Sequence, residues 1–132
     1  MNGNNVTVNW VNADIEAAEN DDSYGLVIGS GTTQFSWLDT ALESKYDNSV
    51  FKHLACSYET FKEIAGIPES PESNQVVRQF TNQSTLAKDV NECALYIKAG
   101  TSVICVGRHV FSSAYTISAG ESIRIRWIFS CR

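Results

Sequence analysis

Across residues 123–131 apolar and polar side chains alternate. Ile123, Ile125, Trp127, Phe129 and Cys131 fall on one side of the chain; Ser122, Arg124, Arg126, Ser130 and Arg132 fall on the other, and Ile128 is the one breach. Period 2 over this length is the signature of a half-buried β-strand. It also fixes register, because a slip by one residue would carry Arg124 and Arg126 inside and four large apolar side chains into water. The pattern therefore predicts Ile123, Ile125, Trp127 and Phe129 on the core. Ala119-Gly120-Glu121 ahead of it is a turn signal, preceded by the β-branched run 103–111. Gly100-Thr101-Ser102 separates that run from another strand-like piece, 93–98. Three strands joined by short turns make an antiparallel meander, against which the rest of the chain is expected to pack.

Further strand patterns lie upstream. Residues 6–11 alternate as Val-Thr-Val-Asn-Trp-Val, and 24–29 read YGLVIG before the turn Ser30-Gly31-Thr32-Thr33. Residues 49–58 read as a strand, 59–65 as strand or helix, and 75–80 as a strand. Residues 36–45 predict a short helix, with Ser36 as its cap and Asp39 three residues on. Residues 67–74, IPESPESN, hold both prolines and predict a surface loop. Seven or eight short strands at spacings of roughly 8–12 residues predict an all-β, mainly antiparallel β-sandwich, of jelly-roll or immunoglobulin-like type. At 132 residues one domain, 1–132, is expected.

Composition narrows the function classes. No window reaches the apolar length that spans a bilayer, so no membrane partner is expected. MNGNNVTVNW has no basic segment followed by an apolar run, so no signal peptide is expected. Residues 1–72 hold 12 acidic and 3 basic side chains, whereas 73–132 hold 3 acidic and 7 basic. A net charge of -5 argues against a uniformly basic nucleic-acid binder. The polarity suits head-to-tail packing of copies, although two solvated faces also account for it.

Cys56, Cys93, Cys105 and Cys131 form no C-x-x-C, and His53 and His109 sit at no ligand spacing, so no metal and no cofactor is expected. Reduced core thiols are the expectation. Asp14, Glu16, Glu19, Asp21 and Asp22 read as a solvated acidic loop, because the glycine and closing glutamate of a calcium loop are missing at the needed offsets. Ser30-Gly31 lacks the G-K-[ST] of a phosphate loop and the spacing of a nucleophile elbow. The sequons at Asn5 and Asn82 read as chance.

Several segments resemble a group of uncharacterised virion proteins of tailed bacteriophages. Residues 25–34, GLVIGSGTTQ, followed by 39–46, DTALESKY, are similar to that group's strand, G-x-G-[TD]-T turn and Leu-Glu-Ser-like triplet. Residues 78–84, RQFTNQS, resemble its R-x-F-x-N-x-S strand and turn, and 90–96, VNECALY, its V-x-E-[IV]-G-L-Y strand. Gly107-Arg108-His109-Val110 followed by Ala119-Gly120-Glu121 resembles its [AG]-R-x-V … A-G-E hairpin. Cys93 and Ala94 depart from the pattern, and 59–74 match nothing in it. The resemblance covers most of 24–129. It implies a non-catalytic structural protein of the virion, of head-fibre, capsid-decoration or tail-associated type. Such a protein is assembled in the host cytoplasm as a homo-oligomer, or with other virion proteins as partners. It brings no catalytic residues with it.

The rival expectation is a carbohydrate- or receptor-binding sandwich, with Trp10, Trp37 and Tyr115 as candidate binding aromatics beside the core reading of each. A hydrolase built on Asp39, Glu43 and His109 is the third class, and no spacing compels it.

Overall fold

A computed structural model describes residues 13–36, 38–62 and 72–129. The expected strand at 6–11, both Trp10 and Trp37, and Cys131 lie outside the described residues, as does most of the expected 67–74 loop.

Among the described residues eight strands form two antiparallel sheets, with no helix. They are β1 (Ala13–Asp14), β2 (Gly25–Gly29), β3 (Phe51–His53), β4 (Ser57–Lys62), β5 (Glu72–Asn82), β6 (Lys88–Ala99), β7 (Ser102–Ile117) and β8 (Ser122–Phe129). The sheets share one plan. In the first, β6 is flanked on one edge by β1 and β2 placed end to end, and on the other by β7. In the second, β5 is flanked by β3 and β4 end to end, and by β8. The chain crosses between sheets after β2, after β5 and after β7, and the short turn of the last crossing leaves both long edge strands, β7 and β8, on the same side of the molecule.

The core lies between the sheets. Leu26 and Ile28 of β2 and Val90, Cys93 and Leu95 of β6 meet Phe51, Val76 and Phe80 of the other sheet. Burial pushes the Cys93 thiol up to about 12, so at neutral pH it packs as a small hydrophobe. The expected three-strand meander does not form: β6 and β7 pair, but after the 118–121 turn β8 crosses to the second sheet and pairs with β5. The expected facing of that last strand holds for Ile123, Ile125 and Trp127, which pack on this core. Their partners on β5 are Phe80, Arg78 and Val76. Phe129, expected inside, is 38% exposed, because β8 ends there and the core has tapered off.

The expected helix at 36–45 does not form. Its start is present: Ser36 N–H donates to Asp39 Oδ2 at 2.9 Å, and Leu38 N–H to Ser36 Oγ at 3.2 Å. The amides that would carry the helix onward are taken by β6 side chains. Leu42 N–H donates to Tyr96 OH at 2.9 Å, while those of Glu43 and Ser44 donate to Glu92 at 3.1 and 2.8 Å. Tertiary partners override local propensity here, and the stretch instead covers the outer face of the first sheet, where Leu42 packs on Val27 and Ala94. That cover explains why all five residues of β2 are buried.

The single strand expected at 49–58 is two, broken at 54–56, where Leu54 O accepts from Arg78 and Cys56 N–H donates to Ala17 O. The open choice at 59–65 resolves as strand through Lys62. The loop expected through Asn74 has given way to β5 by Glu72.

Candidate functional site

Two polar constellations and one open cleft stand out. The first constellation is built on Glu92, which faces the outer side of the first sheet and is fully buried there. Its carboxylate accepts the amides of Gly31, Glu43 and Ser44 and the Arg108 Nε at 2.7 Å. Arg108 then reaches Asp39 Oδ2 at 2.9 Å and Thr33 O at 2.9 Å. Burial alone would raise the Glu92 pKa, but the amides of Ser44, Glu43 and Gly31 together with Arg108 outweigh it and hold the carboxylate below its usual range. The Gly29-Ser30-Gly31 turn is shaped by this group. A Cβ on Gly31 would stand 2.7 Å from Glu92 Oε1 and collide with Glu43 Cβ, and one on Gly29 would stand 2.5 Å from the same oxygen and strike Ser44 O. These glycines serve close approach to a carboxylate of the chain itself, not to a phosphate.

The second constellation was not legible in the sequence. Arg78 lies on the inner face of β5, opposite Ile125, and is 1% exposed. It donates to five carbonyls: Leu54 at 2.7 Å, Tyr24, Leu26 and Ala18 at 3.1 Å each, and Asp21 at 2.5 Å. Ile28 O on β2 accepts Tyr46 N–H, and the carbonyls two and four residues back, those of Leu26 and Tyr24, accept Arg78. The guanidinium thus crosses between sheets to satisfy the edge of β2 and to hold the 15–22 loop. Only Arg, with five donors in a planar fork, can do this.

The acidic residues of that loop serve as local acceptors. Asp14 takes Glu16 N–H and Tyr24 OH, Asp21 takes Ser23 N–H, and Asp22 takes Asn48 N–H. Asn82, one of the sequons, is 1% exposed. Its amide donates to Leu86 O and Ile117 O, and its oxygen accepts from Ser84, so modification would dismantle the turn. Gly120, with φ +81°, occupies the β7–β8 turn.

The residues imagined as a hydrolase do not converge. Asp39 is held by Arg108, Glu43 Oε1 accepts Thr32 N–H, and His109 projects from the opposite face of β7 to stack edge-on against Phe111. His53 is fully buried, with Nδ1 against Phe51 O at 2.7 Å and Nε2 unpartnered. Desolvation lowers its pKa.

The cleft lies between β7 and β8, with a volume of about 520 Å³. Tyr115, the one described member of the three candidate aromatics, is 53% exposed on its rim. An irregularity in β7 puts it there. Glu92 pairs with Val110 but Val90 with Tyr115, so Asn91 faces the four residues 111–114. This wide bulge folds the strand back enough to bring the Phe111 and Tyr115 rings to 5.0 Å; a regular strand would separate them by about 13 Å. A second irregularity, at Val106, lies beside Gly107, onto whose backbone Trp127 closes: a Cβ there would stand 2.9 Å from Cζ2. The other wall is β8, every residue of which from Ile123 to Ile128 contributes regardless of the face it points to. Such a lining means that the cleft runs along the edge of the strand that is unpaired among the described residues. Sequence reasoning found Tyr115 but not this slot, because a bulge leaves no periodic signal.

No family model matches the chain, and no curated protein or solved structure shows significant similarity to it.

Proposed function

We propose that the protein is a non-catalytic structural component of a virion, of capsid-decoration, head-fibre or tail-associated type, working through protein–protein contacts. One observation carries the contact part of this reading. Both sheets end on the same side in a strand paired on one edge only, among the described residues, and that side exposes Val103, Ile104, Val106, Tyr115, Ile128 and Phe129. Apolar surface gathered along open strand edges is what an assembling protein presents and a monomeric one blunts. The virion part rests on the resemblance. The residues that carry it act in the framework: Glu92, Arg108 and Asp39 clamp the cover of the first sheet, Arg78 staples the two sheets, and Asn82 caps a turn. Co-sedimentation of the purified protein with tailed-phage particles lacking it tests the proposal; binding that saturates at a fixed number of copies is expected, and absence of binding to any such particle refutes it.

A second reading, a carbohydrate- or receptor-binding module, is favoured by the exposed Tyr115, set edge to face with Phe111 beside the cleft, since aromatic rings are what sugars pack on. Glycan-array binding lost on Tyr115→Ala would support it over the first.

A further inference from the structure

The slot along β8 calls for an occupant, and charge says which. We infer that it receives a second copy of this chain, docked through its acidic flank, residues 14–22, so that copies add head to tail. The inference rests on the assembly part of the reading above and not on its virion part.

The two long edge strands are not equivalent. β7 carries two bulges, which twist and blunt an edge against pairing. β8 is regular through eight successive pairs with β5, so its other edge, unpaired among the described residues, is straight, and the cleft runs along it. Pairing of β8 with itself about a two-fold axis would set the arginines of one copy, Arg124 and Arg126, against those of the other, and like charges facing across strands are destabilising. The partner surface must therefore be acidic.

Such a surface lies on the opposite side of the same molecule. The loop between β1 and β2 closes the sandwich at the β2, β3 and β4 edge, held there by Asn20 N–H to His53 O and Cys56 N–H to Ala17 O. It exposes Asp14, Glu16 and Glu19. Lys52 answers Glu19 and Lys45 lies near Asp22; Asp14 has Lys98 opposite it on β6, with that ammonium over the Tyr24 ring, and neither Asp14 nor Glu16 makes an ion pair among the described residues. Arg124 on β8 is exposed and likewise makes no ion pair among them. Basic edge and acidic flank being on opposite sides, their contact is heterologous, and it propagates into a ring or a filament.

Sedimentation velocity on the full chain across a concentration series, at low and at high salt, reads this directly. Association is expected at low salt and weakening at high salt, where screening shortens the reach of charge. Arg124→Glu alone and the pair Asp14→Lys with Glu16→Lys alone should each weaken self-association by at least roughly tenfold, with unchanged circular dichroism. Mixing the two variants should restore it, since each then offers what the other needs. A parent that stays monomeric throughout overturns the inference. So does undiminished association of the Asp14→Lys, Glu16→Lys variant on its own, which would mean that the edge pairs with itself. Particle binding is a separate readout: a chain that associates in this way but never binds particles defeats the virion reading alone.

Discussion

Replacing Arg78 by Met isolates the least expected element of the fold. The substitution keeps an unbranched side chain of similar reach and removes five donors at once. Two of the carbonyls left behind, those of Tyr24 and Leu26, are buried at the edge of β2; those of Leu54, Ala18 and Asp21 are part-buried, where water can replace the bond. A buried acceptor stripped of its partner costs about 1–3 kcal/mol, so two such groups, with a smaller contribution from the part-buried Leu54 carbonyl, sum to several kcal/mol. Against this, the variant no longer desolvates a guanidinium, which recovers part of the loss. The net expectation is a loss of about 3–5 kcal/mol, the usual result of removing one side of a buried charged network. Urea melts followed by tryptophan fluorescence measure it. At a slope of about 1–3 kcal/mol/M the midpoint should fall by more than about 1 M, or the chain should fail to fold. Arg78→Lys, with three donors on one nitrogen, should lie between parent and Met, and hydrogen exchange in 15–22 should accelerate in both variants. If Arg78→Met melts with the parent, the carbonyls are satisfied without the arginine and the stapling argument is wrong.

Trp127→Ala should cost about 2–3 kcal/mol, at or below the low end for a large aromatic because the ring is only half-buried, whereas Arg126→Ala should cost no more than about 1 kcal/mol; paired melts that reverse this order would invert the facing of β8. Gly31→Ala should lose about 1–3 kcal/mol through overpacking against Glu92, read by thermal unfolding, and a neutral result would mean that the clamp gives way freely. His53 provides the pH test. Desolvation depresses its folded pKa below the unfolded value of 6.5, so its stabilising effect is complete above about pH 6.5 and is lost as pH falls through the folded pKa. Unfolding free energy should therefore decline below pH 6.5 by at most about 1.4 kcal/mol per pH unit, and the slope between pH 6.5 and 5 should flatten in His53→Phe; an unchanged slope would assign it to other groups.

How much of this was legible in the sequence depends on the kind of signal. The β8 facing was readable because Arg124 and Arg126 cannot share a face with Ile125 and Trp127. The helix at 36–45 was misread because the capping pair at Ser36 and Asp39 is real; what defeats it is Glu92, 48 and 49 residues further on, taking the amides of Ser44 and Glu43. Arg78 was hidden for a related reason. Between Val77 and Gln79 it breaks no pattern strongly, and only the fold shows that its face turns inward to five carbonyls. Long-range satisfaction of backbone groups has no local signature, since it depends on which segments end up adjacent.

The same reasoning explains why the most strand-like third of the chain is not the best buried. β6 is sheltered on both faces because the 30–46 stretch covers one of them. No described segment does this for the outer edges of β7 and β8, whose residues are mostly exposed in spite of their β-branched and aromatic content. Such content on an edge strand would be an aggregation hazard if both edges were straight. The bulges at Val106 and at residues 111–114 interrupt β7, leaving one regular edge, that of β8, beside a walled slot. An edge restricted in this way selects among partners, because an incoming surface must fit the wall made by Phe111 and Tyr115 and meet Arg124 with negative charge. Docking specificity would then follow from the same bulge that brings two aromatic rings together, and reducing it to a one-residue bulge by deleting Ser112 and Ser113 should make self-association less dependent on salt while leaving the Arg78 and Glu92 networks intact.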